Sequence, residues 1–308
     1  MNKSCEISLQ YLPSLSTVED HHSTYIANCV FNSLLTHTAI MLNIVTIHAI
    51  RKTPSLPKNL KTLLLSLAVS DVGVGLLVQP FYTLLLVNWL QNSGSCTSYV
   101  AFHIIPCLFS GVSFSIVVAI SVERFLAIHL HLRYQELVTH KRVVAVVILI
   151  WVLSAFFISI DLWHPSEVNC IIFCIGGFAG LLLTTAAYRK IYVAVRHHRS
   201  QIKLLQVQQV EKNEEMSNFA SRIKYAVGIF YVYIVFVFCF LPHLICIAAI
   251  LINGTSMALK RFYLYSMTLV FLHSSLNPIV YCWKMRHIRH AVVNILRNVS
   301  WHRNRASH

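Results

Sequence analysis

Residues Thr62 to Asn88 read TLLLSLAVSDVGVGLLVQPFYTLLLVN, with one charged side chain, Asp71. Working outward, six further runs carry no Asp, Glu, Lys or Arg: Ile26–Ile50, Cys96–Val122, Val143–Ile160, Val168–Tyr188, Tyr225–Leu259 and Phe262–Trp283. Each of the seven is at least 18 residues long. At about 1.5 Å of rise per residue that is ~27 Å of helix or more, close to the hydrocarbon thickness of a bilayer. In lipid such runs must be helical, because every backbone N–H and C=O needs a partner inside the segment. Buried helices of a large soluble protein would need amphipathic partners, which this chain lacks. The sequence therefore predicts an all-α fold, a bundle of seven transmembrane helices.

Composition agrees. Hydrophobic residues make up 56% of the chain and charged ones 12%, against about 25% charged in a typical soluble domain. The net charge of +14 is not a nucleic-acid signature, because its placement follows the positive-inside rule. Basic residues cluster after the first run (Arg51, Lys52, Lys58, Lys61), between the third and fourth, between the fifth and sixth, and beyond the seventh. Counting Arg124 at a helix end, 22 lie on that side and three, Lys3, Lys260 and Arg261, on the other. The expected protein is a multi-pass plasma-membrane protein with its N-terminus outside. Residues 1–25 form an extracellular segment, 26–283 the seven-helix domain and 284–308 a cytoplasmic tail. Residues 1–25 lack a basic start followed by an apolar stretch, so the first run is expected to act as its own insertion signal. Asn2 and Asn253 sit in N-glycosylation acceptor triplets on the outer side, the second close to the membrane.

The connections are short except that between the fifth and sixth runs, from Arg196 to Arg222, which is polar and helix-permissive. It is expected to extend both helices into the cytoplasm. After Trp283, Met285, Ile288, Val292, Ile295 and Leu296 fall at helical spacing among basic residues. That predicts a short amphipathic cytoplasmic helix lying on anionic membrane lipid.

Motifs within the runs narrow the reading. The second holds LSLAVSD ending at Asp71, the third ends ISVERFLAI around Glu123-Arg124-Phe125, and the fourth holds Trp151. Tyr188 lies near the end of the fifth, Phe236 and Cys239-Phe240-Leu241-Pro242 in the sixth, and Asn277-Pro278-Ile279-Val280-Tyr281 closes the seventh. Asn43 stands in the first. In this order and at these depths the chain resembles a rhodopsin-like G-protein-coupled receptor from about residue 26 to 296. It departs from the pattern in places. Gly180 stands where the fifth helix usually has a proline, Phe240 replaces a customary tryptophan, and the second outer loop is short, about Trp163–Asn169. These departures resemble the branch with melanocortin, adenosine, cannabinoid and lysophospholipid receptors.

The resemblance implies roles for particular residues. Arg124 is held by Glu123 in the resting receptor and meets the heterotrimeric G protein in the active one, with Tyr188, Pro242, Pro278 and Tyr281 moving between the two. A snorkelling interfacial arginine is the plainer alternative. Arg222 stands where the family has an acid, so it is expected to repel Arg124 and loosen the resting state. Asp71 with Ser113, Ser274 and Asn277 is the family's sodium site, an oxygen set suited to a hard cation. A protonated Asp71 carboxyl satisfied by the same neighbours is an equal alternative. His273 replaces an asparagine commonly found there. The family's disulfide cysteine lies 25 residues before the arginine, where this chain has Tyr99. Cys96 is nearest, and a bond to Cys170 is expected, with Cys5 and Cys174 as competitors.

His103, Cys107, Ser110 and Ser113 share one stripe of the third helix. Facing them are expected Tyr82, Phe240, His243, Ile247, Tyr263 and Met267, an apolar pocket with few polar points; simple helix packing is the alternative for each residue alone. Amine receptors place an aspartate 18 residues before the arginine, and here that residue is Pro106. A simple monoamine is therefore not expected. A neutral or weakly acidic small molecule or a lipid suits the walls, with the histidines donating hydrogen bonds; a peptide remains open. No cofactor is expected beyond an allosteric sodium ion. No nucleophile–base pair or phosphate-cradling glycine loop suggests an enzyme, and the adjacent pairs among the 17 histidines do not share a helix face. The alternatives to a signalling receptor are a receptor-like binding protein that does not signal, and a channel or transporter. The last would need several charges inside the membrane, and there is only Asp71.

Overall fold

The computed structural model describes residues 18–91, 96–130, 133–163, 167–205 and 213–306, with the side chains at 18–21, 96–103, 161–163, 167, 197–205, 213–221 and 299–306 left out. Among the described residues the chain is helical, without strands. Its α-helices are α1 (Val18–Lys52), α2 (Lys58–Gly73), α3 (Gln79–Leu90), α4 (Cys96–His129), α5 (Tyr134–Leu137), α6 (His140–Trp163), α7 (Glu167–Leu205), α8 (Asn213–Asn253), α9 (Met257–Lys284) and α10 (Arg286–Ala306). A π-helical turn, Val74–Val78, joins α2 to α3 so that the pair forms one continuous span. Seven spans result, as the apolar runs predict. α7 and α8 continue well past their apolar segments, to Leu205 and from Asn213.

The spans close a ring. α1 packs on α2, α3 and α9; α9 packs on α8, α8 on α7, and α7 on α4. α4 also touches α2, α6 and α8, which puts it at the centre. The surface is inverted relative to a soluble protein. Leu149, Val152, Phe156 and Phe157 on α6, and Leu182 and Leu183 on α7, face outward. The buried residues include Asn43, Asp71, Gln79, His273, Ser274 and Asn277. Lipid is the solvent that makes both placements favourable.

Six of the helices are apolar and long enough to cross a membrane, by length and composition. α9 is the seventh. Its 28 residues include Ser266, His273, Ser274, Ser275 and Asn277, all buried against neighbours. Its buried polar side chains lower the apolarity of its membrane-crossing stretch below that of the other spans. Gly254, in the left-handed region at φ 75°, ends α8 by donating its N–H to the Ile250 carbonyl at 2.9 Å. α10 turns away after Lys284, seating Met285 and Ile288 against the bundle while Val293 and Leu296 point outward.

Candidate functional site

The chain's chemistry gathers at three depths along the bundle axis. At the end carrying the basic loops, the Arg124 side chain folds back on its neighbour, with Nε and Nη2 each 2.5 Å from a Glu123 carboxylate oxygen. Both side chains are buried. Tyr134, on the single turn α5, donates its hydroxyl to Glu123 Oε1. Asn59 at the start of α2 donates to the Tyr134 hydroxyl at 3.2 Å and to the Val138 carbonyl at 2.8 Å. Burial, then the neighbouring Glu123 charge, pushes the Tyr134 phenol up to about 12, so it remains a donor at neutral pH. The expected repulsion between Arg222 and Arg124 is replaced by something else. Arg222 donates to the Ala127 carbonyl at 3.0 Å and lies over the Tyr134 ring, 5.8 Å from its centre. It thus caps the negative end of α4 and joins α8 to it. Tyr188 stacks on Tyr233 at 5.3 Å, with its hydroxyl 3.4 Å from Ser121 Oγ.

Midway, Asp71 is completely buried. Asn277 donates to its Oδ2 at 2.9 Å, and its Oδ1 faces His273 Nε2 at 3.3 Å. His273 Nδ1 meets the Val270 carbonyl. Ser113 bonds Ser70 at 2.9 Å rather than Asp71. The hydroxyls of Ser274 and Tyr281, the Asn277 Oδ1, Asp71 Oδ1 and His273 Nε2 are all buried without a hydrogen-bond partner. Neutral oxygens fit for sodium thus surround Asp71 Oδ1, with the His273 ring nitrogen 3.3 Å from it. The expected four-residue set is together in space, with His273 inserted into it. Above the imidazole stand Phe236 and Phe240, stacked at 3.9 Å, with edge contacts of 5.8 and 5.0 Å to His273.

In the other half of the bundle, His243, Ile247, Tyr263 and Met267 line the α8–α9 contact and are buried, as is Ser110 on α4. Ser266, which the sequence reading did not single out, organises them. Its hydroxyl donates to the Tyr263 carbonyl at 2.8 Å, so the 2.9 Å contact with His243 Nδ1 must have the ring as donor. A neutral His243 then presents Nε2 as an acceptor, the reverse of the donor role expected. The two rings lie 5.2 Å apart. Tyr82 donates to the Leu264 carbonyl at 3.1 Å and meets the Phe271 ring edge-on; it braces α3 against α9. Cys107 is half-buried on α4. The side chains of His103 and Cys96, and all of Asn2, lie outside the described residues, so the Cys96–Cys170 pairing is not placed. Cys170 is half-buried on α7, and Asn253 is exposed at the end of α8.

A polar seam between α1 and α9 escaped the sequence reading except at Asn43. Asn43 donates to the Ala39 and Ser274 carbonyls at 2.8 and 2.7 Å. Thr38 bonds Ser275 at 3.0 Å, and Asn32 donates to Thr268 at 2.9 Å. Thr268 in turn donates to Asn28 Oδ1 at 2.5 Å. The signal was available: Asn28 and Asn32 are one turn apart in an uncharged run.

Comparison with known proteins points the same way as the geometry. Adenosine receptor A2b of Gallus gallus is 25% identical over 317 residues, covering 90% of this chain and 89% of that protein. Adenosine receptor A2a of Homo sapiens is 25% identical over 294 residues, 84% of this chain and 69% of that receptor. Adenosine receptor A3 of Ovis aries is 25% identical over 285 residues, 84% of this chain and 86% of that receptor. The sequence model described as 7 transmembrane receptor (rhodopsin family) matches residues 42–281. With that match running from the polar seam of α1 to the tyrosine that closes α9, the chain belongs to the rhodopsin family of seven-transmembrane receptors, and its activity is that of a G-protein-coupled receptor.

Proposed function

We propose that this receptor takes a neutral, hydrogen-bonding extracellular ligand in the α4–α8–α9 half described above and passes the signal to a heterotrimeric G protein through Arg124. The reading places it in the plasma membrane with the N-terminus outside, as the distribution of basic residues supports. The observation that carries the ligand class is the distribution of buried acids. Among the described residues the buried carboxylates are Asp71 and Glu123, and both belong to the lower sites. An ammonium taken into the upper half would meet no buried carboxylate there among the described residues, at a cost of several kcal/mol. A neutral ligand meets instead the His243 acceptor, the Tyr263 ring and the apolar walls of Ile247 and Met267. Nucleosides are neutral, aromatic and rich in donors, and the curated relatives are named adenosine receptors. Nucleosides therefore head the panel to test.

The experiment is guanine-nucleotide exchange in membranes holding the receptor, with biogenic amines and nucleosides as separate panels. Amines are expected to give no saturable activation. His243→Ala should weaken a neutral agonist by about tenfold, the loss of one buried hydrogen bond. Arg124→Ala should abolish exchange while surface amount stays near that of wild type. Potent activation by an amine would defeat the ligand reading. Exchange undiminished in Arg124→Ala would defeat the coupling role.

A further inference from the structure

We infer that the corner where α9 ends holds one anionic phospholipid: the Lys284 ammonium, fixed against the rings of Trp283 and Tyr231, takes the lipid phosphate, and the lipid bridges α8 and α9. The inference rests on the membrane fold and not on the ligand reading; a receptor that ignored every nucleoside would leave it intact. It also differs from adsorption of α10 to the bilayer, which needs surplus positive charge and no particular residue.

Close approach builds the corner. Gly228 of α8 has no side chain, and a methyl carbon added there would lie 3.2 Å from Met285 Cε and 3.8 Å from Lys284 Cβ. α9 therefore ends hard against α8. Tyr231 stands one turn on from Gly228, and Lys284 Nζ lies 3.7 Å from the centre of its ring. The Trp283 ring is nearer still, at 3.4 Å. The two rings meet edge-on, 5.4 Å apart. Such contacts fix the position of a cation. They carry no net charge, so the ammonium keeps its own, along with three N–H donors.

Charge decides the occupant. The acidic side chains among the described residues are Asp71, Glu123 and Glu136, and none of them pairs with Lys284. Arg286 and Arg289 follow within two turns, both exposed. A zwitterionic headgroup would bring a further ammonium to this cationic corner, whereas an anionic one brings only the phosphate charge. The walls suit a lipid. Ile279 and Trp283, one turn apart on α9, face outward, as do Val227 and Ile234 on either side of Tyr231. Acyl chains can lie along both helices while the phosphate meets the lysine. In the proposed orientation this end faces the cytoplasmic leaflet, where the anionic lipids are.

The test uses the purified full-length receptor in nanodiscs of phosphatidylcholine doped with phosphatidylglycerol. Both leaflets then hold the same lipids, so the result does not depend on orientation. Lipid kept through mild detergent extraction is identified by native mass spectrometry. Wild type is expected to keep one phosphatidylglycerol in preference to phosphatidylcholine. Lys284→Gln should lower that occupancy by about tenfold, through loss of a charge-assisted hydrogen bond. Trp283→Leu keeps the charge and deletes a ring, and should lower it by about threefold. Arg297→Gln removes the same charge from the exposed side of α10 and should change nothing. Should Lys284→Gln not accumulate, Trp283→Leu carries the test, since its side chain is exposed. Equal retention of the two lipids by wild type would overturn the inference. So would undiminished retention in both corner variants, a loss in Arg297→Gln as large as in Lys284→Gln, or displacement of the lipid by inorganic phosphate.

Discussion

At the scale of single residues, the arginine end shows how a short network replaces a missing acid. Glu123 was legible as a motif, but Tyr134 was not. It sits on a one-turn helix with no periodicity to read, and its role exists only because Asn59 of α2 and Arg222 of α8 reach it. Arg222 read as a repulsive charge because sequence shows sign and position but not direction; in space it turns to the Ala127 carbonyl. Tyr134→Phe should therefore loosen the resting arrangement. It deletes a donor to a buried carboxylate and leaves Asn59 without that acceptor. Ligand-independent nucleotide exchange is expected to rise by up to about tenfold, the factor that ~1.4 kcal/mol carries. Unchanged basal exchange in a normally expressed Tyr134→Phe receptor would remove α5 from the restraint.

At the scale of elements, the apolar runs predicted the spans well because lipid imposes a length and forbids unpaired backbone. What they could not show is how closely helices approach. A methyl carbon added at Gly180 would lie 2.4 Å from the Phe114 ring, and one at Gly73 would lie 2.1 Å from Phe109. Gly180 read only as a missing proline; its bare backbone admits the phenyl ring that backs Phe236 and Phe240. Gly73 leads into the π-helical turn ahead of Pro80, whose missing N–H leaves the Leu76 carbonyl without its usual helical donor. The His243 donor role was misjudged for a related reason, since the Ser266 hydroxyl that decides it sits on another helix. Gly180→Ala should lower the unfolding temperature by several degrees, consistent with overpacking of about 1–3 kcal/mol. It should also disturb the ring stack over His273. Thermal unfolding in nanodiscs measures the first, and a Gly180→Ala variant as stable as wild type would show that α4 and α7 can part without cost.

At the scale of the whole molecule, the split of 22 basic residues against three predicts orientation. An epitope at the N-terminus should be stained on intact cells and one at the C-terminus only after permeabilisation; the reverse would invert the proposed topology. The enclosed, polar character of α9 bears on how the receptor is made. This span is the last to leave the ribosome, and its polar side meets residues made first: Asn28, Asn32, Thr38 and Asn43 on α1, and Asp71 on α2. A translocon presented with α9 alone would find a weak candidate for lateral release into lipid, whereas α1 waiting nearby offers hydrogen bonds of about 0.6–2 kcal/mol each. Insertion of the spans thus ends by joining α9 to α1. Lesions at Asn32 or Asn43 should accordingly appear as a stalled seventh segment and endoplasmic-reticulum degradation before any receptor reaches the surface to be assayed.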